Sequence, residues 1–371
     1  MFKKYVSNVP VSTGNNYIIE KGQTVKFRAR AYFRPNVYGE FSWRFYFCNT
    51  LDSTFADGKV AYRNKPGGTW RINAASVAVA PDSGDDNGAE VMEKAVPVSS
   101  VTPVTFSGNA SKNVSPDECF WSDAVTFRVE EGSYLVWEWE IEGDGIPFTP
   151  DSQVPTFCDW GDGWKFTIDC PLPAMLGCDR KVKKTIAFLG DSITQGCATT
   201  NNRYEMWVAK ISFALGADYA VWNLGMGYGR GSDCATNGAW LRKAKQCDMA
   251  VLAFGVNDLE SGTYRRGRSD TAEEFLDTTE TLIKLLLEAG VEVIPGTVPP
   301  FSFQPAQCEE WRKVNRAIPK LAEKYGLRLY DIERSLDASP DLGNIYTYGA
   351  HPNAEGGTAA AQAFIKLWET L

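Results

Sequence analysis

Two different periodicities divide the chain. From Val25, the residues Val25, Phe27, Ala29, Ala31 and Phe33 alternate with Lys26, Arg28, Arg30 and Tyr32. Phe41, Trp43, Phe45 and Phe47 alternate with Ser42, Arg44, Tyr46 and Cys48, and Leu135, Trp137, Trp139 and Ile141 with Val136, Glu138 and Glu140. A period of two predicts strands with one buried and one wetter face, as in an antiparallel sandwich. The clusters Lys65-Pro66-Gly67-Gly68 and Pro81 to Gly88 have turn chemistry. The stretch from 1 to 172 therefore reads as an all-β sandwich of jelly-roll type.

After a boundary in the Pro171 to Lys184 stretch the pattern changes. Short apolar strands are predicted at Thr185–Leu189, Ala220–Leu224, Met249–Phe254, Val291–Val298 and Leu327–Ile332. Helical spacing is found at Tyr204–Leu215, Gly238–Gln246, around Phe275 to Leu287 with Gly290 as terminator, at Trp311–Tyr325 and at Ala354–Leu371. Strands alternating with helices predict an α/β domain over 180–371, with a parallel sheet covered on both faces.

Composition narrows the function classes. A formal net charge of -8, with no long lysine or arginine block, argues against nucleic acid and anionic membrane as partners. No run approaches the ~18 apolar residues that span a bilayer. The start, with Lys3 and Lys4 but no apolar run behind them, lacks a signal peptide as written, so a cytoplasmic location is expected; a mature secreted form would look similar. The nine cysteines form no CxxC pair and their odd number cannot all pair, which favours free thiols. With a single histidine and no ligand spacing, neither a metal nor another cofactor is expected.

That histidine, His351, is the only imidazole available as a general base near neutral pH. It sits in Gly349-Ala350-His351-Pro352-Asn353, just before the last helix. The first α/β strand runs into Gly190-Asp191-Ser192-Ile193-Thr194, the second into Asn223-Leu224-Gly225-Met226-Gly227-Tyr228-Gly229, and the third into Gly255-Val256-Asn257-Asp258. Ligands in open α/β sheets bind beyond the carboxyl ends of strands. A hydroxyl, close-approaching backbone N–H groups and a neutral amide on that rim are what acyl transfer needs. Ser192 could equally be a helix cap, and glycine and asparagine are common turn residues.

The four blocks together resemble the SGNH (GDSL-like) hydrolase family, whose named Ser, Gly, Asn and His match Ser192, Gly225, Asn257 and His351 in that order. The resemblance covers roughly residues 184–371. It implies a flavodoxin-like three-layer domain and ester hydrolysis through an acyl-enzyme. Ser192 would be the nucleophile, His351 its base, and the N–H groups of Ser192 and Gly225 with the Asn257 amide the oxyanion hole. The family's aspartate three residues before the histidine is replaced by Tyr348. A Ser–His dyad with the ring held by a backbone carbonyl is therefore expected, ahead of help from Asp331 or Asp341. A dyad behind a β-sandwich also resembles carbohydrate esterase family two, which implies a short acyl group, acetyl above all, on a sugar. The expected partner is thus a small-molecule or oligosaccharide ester. The rivals are a lysophospholipase or thioesterase and a non-catalytic carbohydrate-binding protein. Arg230 and Asp233 are further candidates for the cleft, and the Trp160 to Trp164 loop for a sugar platform or a packing role. The oligomeric state is not legible.

Overall fold

The computed structural model describes residues 1–54, 62–84, 87–96, 101–260, 269–337, 346–348 and 351–370. The first part is a sandwich of antiparallel sheets. One sheet runs Val6–Ser7, Met175–Cys178, Gly39–Cys48, Cys119–Trp121, with Val125–Val129 also on Gly39–Cys48. The other runs Trp164–Phe166, Thr156–Asp159, Val25–Phe33, Ser133–Gly143, Trp70–Pro81, Thr102–Pro103, with Lys112–Val114 on Trp70–Pro81. The apolar alternation meets in the middle: Phe45 packs on Trp137 at 4.5 Å and Phe47 on Trp139 at 5.4 Å between ring centroids. Met175–Cys178 lies in this sandwich, past residue 172, where the sequence pattern ends.

The face of Gly39–Cys48 expected to be wetter is buried at its far end. Tyr46 and Cys48 are buried, and they join the core of the α/β domain with Trp222. The alternation of Phe45 and Phe47 with Tyr46 and Cys48 thus separates two cores rather than core from solvent.

The α/β domain has the parallel order Tyr219–Gly225, Lys184–Gly190, Met249–Ala253, Glu292–Pro295. In chain order this is 2-1-3-4, and a parallel bridge from Gly296 to Tyr330 adds a fifth position, the flavodoxin-like arrangement. Alternate strand residues feed opposite layers. Ile186, Phe188, Val221 and Val251 pack with Trp207, Ile211 and Phe364 on one face. Ala187, Leu189, Leu224 and Leu252 pack with Trp240, Phe275, Leu286 and Ile318 on the other. The Leu327–Ile332 strand is reduced to that one bridge at Tyr330. The helix expected from Tyr204 begins at Trp207 instead, because Tyr204 holds a left-handed φ of 56°. The helix expected from Trp311 begins at Pro305, where a proline without an N–H fits the first turn. Among the described residues no helix is long and apolar enough to cross a membrane.

Polar contacts tie the two parts together. Lys243, on the Ala239–Ala244 helix, is ion-paired with Asp52 on the Thr50–Thr54 strand, and both are buried. Removing one partner leaves the other charge in a low-dielectric interior. Lys243→Met is expected to lower the free energy of unfolding by about 3–5 kcal/mol, read by urea denaturation. A loss below about 1 kcal/mol would show that water already reaches the pair.

Candidate functional site

The register of the parallel strands sets the site. Gly190 lies level with Gly225 on one side and with Ala253 on the other, so three strand ends form one rim. The chain leaves Gly190 through Asp191, whose carboxylate accepts the N–H of Ile193 at 2.9 Å and starts the short Ser192–Gln195 helix. The last helix brings the fourth block to the same rim. Asn353 caps Ala354–Trp368 by accepting the N–H groups of Glu355 and Gly356, and His351 precedes it in a short strand pair with Tyr346–Tyr348. Ser192 Oγ and His351 Nε2 are 2.7 Å apart, across 159 residues of sequence. For Nε2 to accept that hydroxyl proton, the ring must carry its own proton on Nδ1.

The two groups lie in a cleft of about 410 Å³. Asn257 lines it too, from the turn that follows Met249–Ala253. Its Nδ2 donates one hydrogen to Gly229 O at 3.2 Å, which leaves a second for a ligand. Ser192 N–H has no acceptor among the described residues. The turn before Asn257 needs Gly255 at a φ of 130°, where a Cβ would also meet Val298 Cγ2 at 2.4 Å.

Gly225 is not brought to the cleft. Its N–H is committed to Asn223 Oδ1 at 2.9 Å, and a Cβ there would lie 2.3 Å from Gln195 N. It is a packing glycine that lets the Ser192–Gln195 turn sit against the second strand. Gly227, two residues on, lines the cleft instead, with its N–H 2.5 Å from Gln195 Oε1. Arg230 and Asp233 also lie elsewhere. Arg230 pairs with buried Asp233 at 2.7 Å, and Asp233 accepts the Ser53 hydroxyl at 2.7 Å, a brace between the two parts of the chain. Asp331 accepts the Thr297 hydroxyl and the Arg334 N–H, and no hydrogen bond joins it to His351. Asp341 and the side chain of Tyr348 lie outside the described residues.

The β-sandwich contributes to the lining, which no local sequence pattern marks. Asn16, Tyr17, Pro150 and Asp151 line the cleft together with Phe301, Tyr228 and Ala198. Asn16 Nδ2 donates to Gly227 O at 2.5 Å, and Gln195 Nε2 donates to Pro150 O at 2.8 Å. Gln195 therefore holds the Gly227 loop with its oxygen and the sandwich with its nitrogen. Only the position of Gln195, three residues after Ser192, was a signal in the sequence. The ring of Phe301 meets that of His351 edge-on at 5.7 Å.

The GDSL-like lipase/acylhydrolase family model matches residues 188–359, which carry Ser192, Asn257 and His351. Residues 188–359 form a GDSL-like lipase/acylhydrolase domain. Among solved structures, a lipolytic protein of the G-D-S-L family from Veillonella parvula is 21% identical, covering 50% of this chain and 99% of its own, with a TM-score of 0.43. The acetylxylan esterase Axe2 from Geobacillus stearothermophilus is 17% identical, covering 51% and 95%, with a TM-score of 0.42. A lipase/acylhydrolase from Enterococcus faecalis is 21% identical, covering 49% and 94%, with a TM-score of 0.40. Comparison with curated proteins gave no match.

Next to Asn257 in this GDSL-like domain lies Asp258, fully buried, accepting the N–H groups of Gly231 and Ser232. Burial, then the charges of Asp270 and Asp233, push its pKa up to about 7, against the Gly231 N–H and Arg230. Unfolded, the carboxyl ionises near 4. Between about 4 and 7 the folded state holds the extra proton, so stability falls as pH rises through that window. Asp258→Asn, which removes the ionisation, is expected to raise the Tm at pH 8 by ~3 °C and to gain nothing at pH 4. Thermal unfolding at both pH values checks this; an equal change at the two would show that Asp258 is ionised throughout.

Proposed function

We propose that the chain is a serine esterase that removes a short acyl group, acetyl above all, from a carbohydrate. The observation that carries the reading is the 2.7 Å contact between Ser192 Oγ and His351 Nε2 inside a cleft that also holds Asn257. As Ser192 Oγ attacks the ester carbonyl, its proton passes to Nε2, and the carbonyl oxygen gains negative charge. Ser192 N–H, the second Asn257 Nδ2 hydrogen and the Gly227 N–H, once Gln195 Oε1 yields it, stabilise that oxyanion. His351 then protonates the departing sugar oxygen. Water, deprotonated by the same ring, attacks the acyl-serine and restores the enzyme. Tyr348 stands where the family's aspartate would be, so a backbone carbonyl is assigned to hold Nδ1 of a Ser192–His351 dyad.

The lining supports a short acyl group. No leucine, isoleucine, valine or methionine of the described residues lines the cleft, so an octanoyl chain would find little aliphatic surface. Asp151 offers a polar group, and Tyr17, Tyr228 and Phe301 offer rings, a mixture suited to a sugar. The test is turnover of p-nitrophenyl acetate against p-nitrophenyl octanoate. A higher kcat/KM on acetate fits the reading; a clear preference for octanoate indicates a lysophospholipase-like or thioesterase-like enzyme. No turnover of either ester leaves the non-catalytic sugar-binding reading. Asn257→Ala is expected to lower kcat on acetate by about 10²–10³-fold with KM little changed, because its hydrogen bond forms to the developing oxyanion.

A further inference from the structure

A second cleft, of about 460 Å³, adjoins the first. The strand pair Tyr17–Ile19 and Ile146–Phe148 lies between them. Tyr17 lines the Ser192 cleft, Phe148 lines the second, and the two half-buried rings are stacked at 5.7 Å with 26° between planes. The clefts also meet at Asp151 and Asp169, one on each side, joined by the Asp151 N–H to Asp169 Oδ1 at 3.4 Å. The second cleft carries an exposed indole, Trp160, which is 47% accessible. One face of that ring rests on Phe27 at 4.1 Å, nearly parallel, so the ring is held in place with its other side turned away from the core.

We propose that this second cleft is a distal subsite for the sugar chain of the same ester, with Trp160 as its stacking platform. The inference rests on the carbohydrate esterase reading of the Ser192 cleft. A chain whose ester lies at Ser192 leaves past Tyr17 and Phe148 and meets Trp160 next. The apolar C–H face of a pyranose matches an aromatic ring, while its hydroxyls need polar groups at the rim. Lys21 and Thr167 line that rim. The chain it suits is neutral, because the charged lining sums to zero: Glu20 pairs with Lys65 at 3.1 Å, Lys165 pairs with Asp162, and Lys21 and Asp169 are of opposite sign.

The experiment compares kcat/KM for acetate release from acetylated monosaccharides and from acetylated β-1,4-linked tetrasaccharides of xylose, glucose and mannose. Wild type is expected to favour at least one tetrasaccharide over its monosaccharide by about tenfold, mainly through KM, the size of one well-made stacking contact. Trp160→Ala should bring that ratio to near one, and Trp160→Phe should restore most of it. The ratio within each variant cancels any general loss from disturbed packing on Phe27. Acetate release with equal kcat/KM from mono- and tetrasaccharides, or a ratio unmoved by Trp160→Ala, overturns the subsite and leaves the esterase reading standing. Release from no sugar acetate overturns both.

Discussion

Ser192→Ala is expected to lower kcat/KM for p-nitrophenyl acetate by about four to six orders of magnitude. A methyl group cannot form the acyl-enzyme, and what remains is the donor set around the carbonyl oxygen. In serine hydrolases those donors and substrate binding alone retain some 10³–10⁴ over the reaction in water. Ser192 starts a turn tightly packed against Gly225, and a methyl takes less room than a hydroxymethyl group, so the fold should be unaffected. Steady-state turnover, with circular dichroism as the control for folding, checks this. Retention of more than about a hundredth of wild-type activity would mean that the chemistry runs through another group.

His351→Ala is expected to cost nearly as much, about three to six orders of magnitude, because the hydroxyl of Ser192 is a weak nucleophile without its base. The two losses should not add. Ser192→Ala with His351→Ala together should be no slower than Ser192→Ala alone, since the pair acts as one unit. The two single variants should differ in rescue. Free imidazole can enter the space left by the ring, beside Phe301, and should restore part of the His351→Ala rate in proportion to its concentration. It should do nothing for Ser192→Ala. A full sum of the two losses, or equal rescue of both variants, would separate the residues mechanistically.

The rim was legible in the sequence because strand-end chemistry is local. A short apolar run followed by Gly190-Asp191-Ser192 or Gly255-Val256-Asn257 shows both the strand and the group it carries outward. The choice among Gly225, Gly227 and Gly229 was not legible. Their spacing of two makes each a plausible donor, and only the pairing of Gly225 with Gly190 shows which one is spent inside the sheet. The lining formed by Asn16, Tyr17, Pro150 and Asp151 was hidden for a similar reason. Those residues meet Ser192 through contacts such as Asn16 to Gly227, which bridge 211 positions, and no local pattern marks them. The strand Gly39–Cys48 misled in the opposite sense. Its period of two was right, but Tyr46 and Cys48 face a second core, and periodicity reports sidedness without saying what covers each side.

The proposed reaction requires that Ser192, activated by His351, be the group that takes the acyl chain. Labelling the whole protein with a fluorophosphonate, followed by peptide mass spectrometry, addresses it directly, because such reagents phosphonylate an activated serine. One adduct per chain is expected, on the peptide bearing Ser192, formed in parallel with loss of esterase activity and much slower in His351→Ala. Loss of activity with the adduct on a different residue, or full activity with Ser192 labelled, would contradict it.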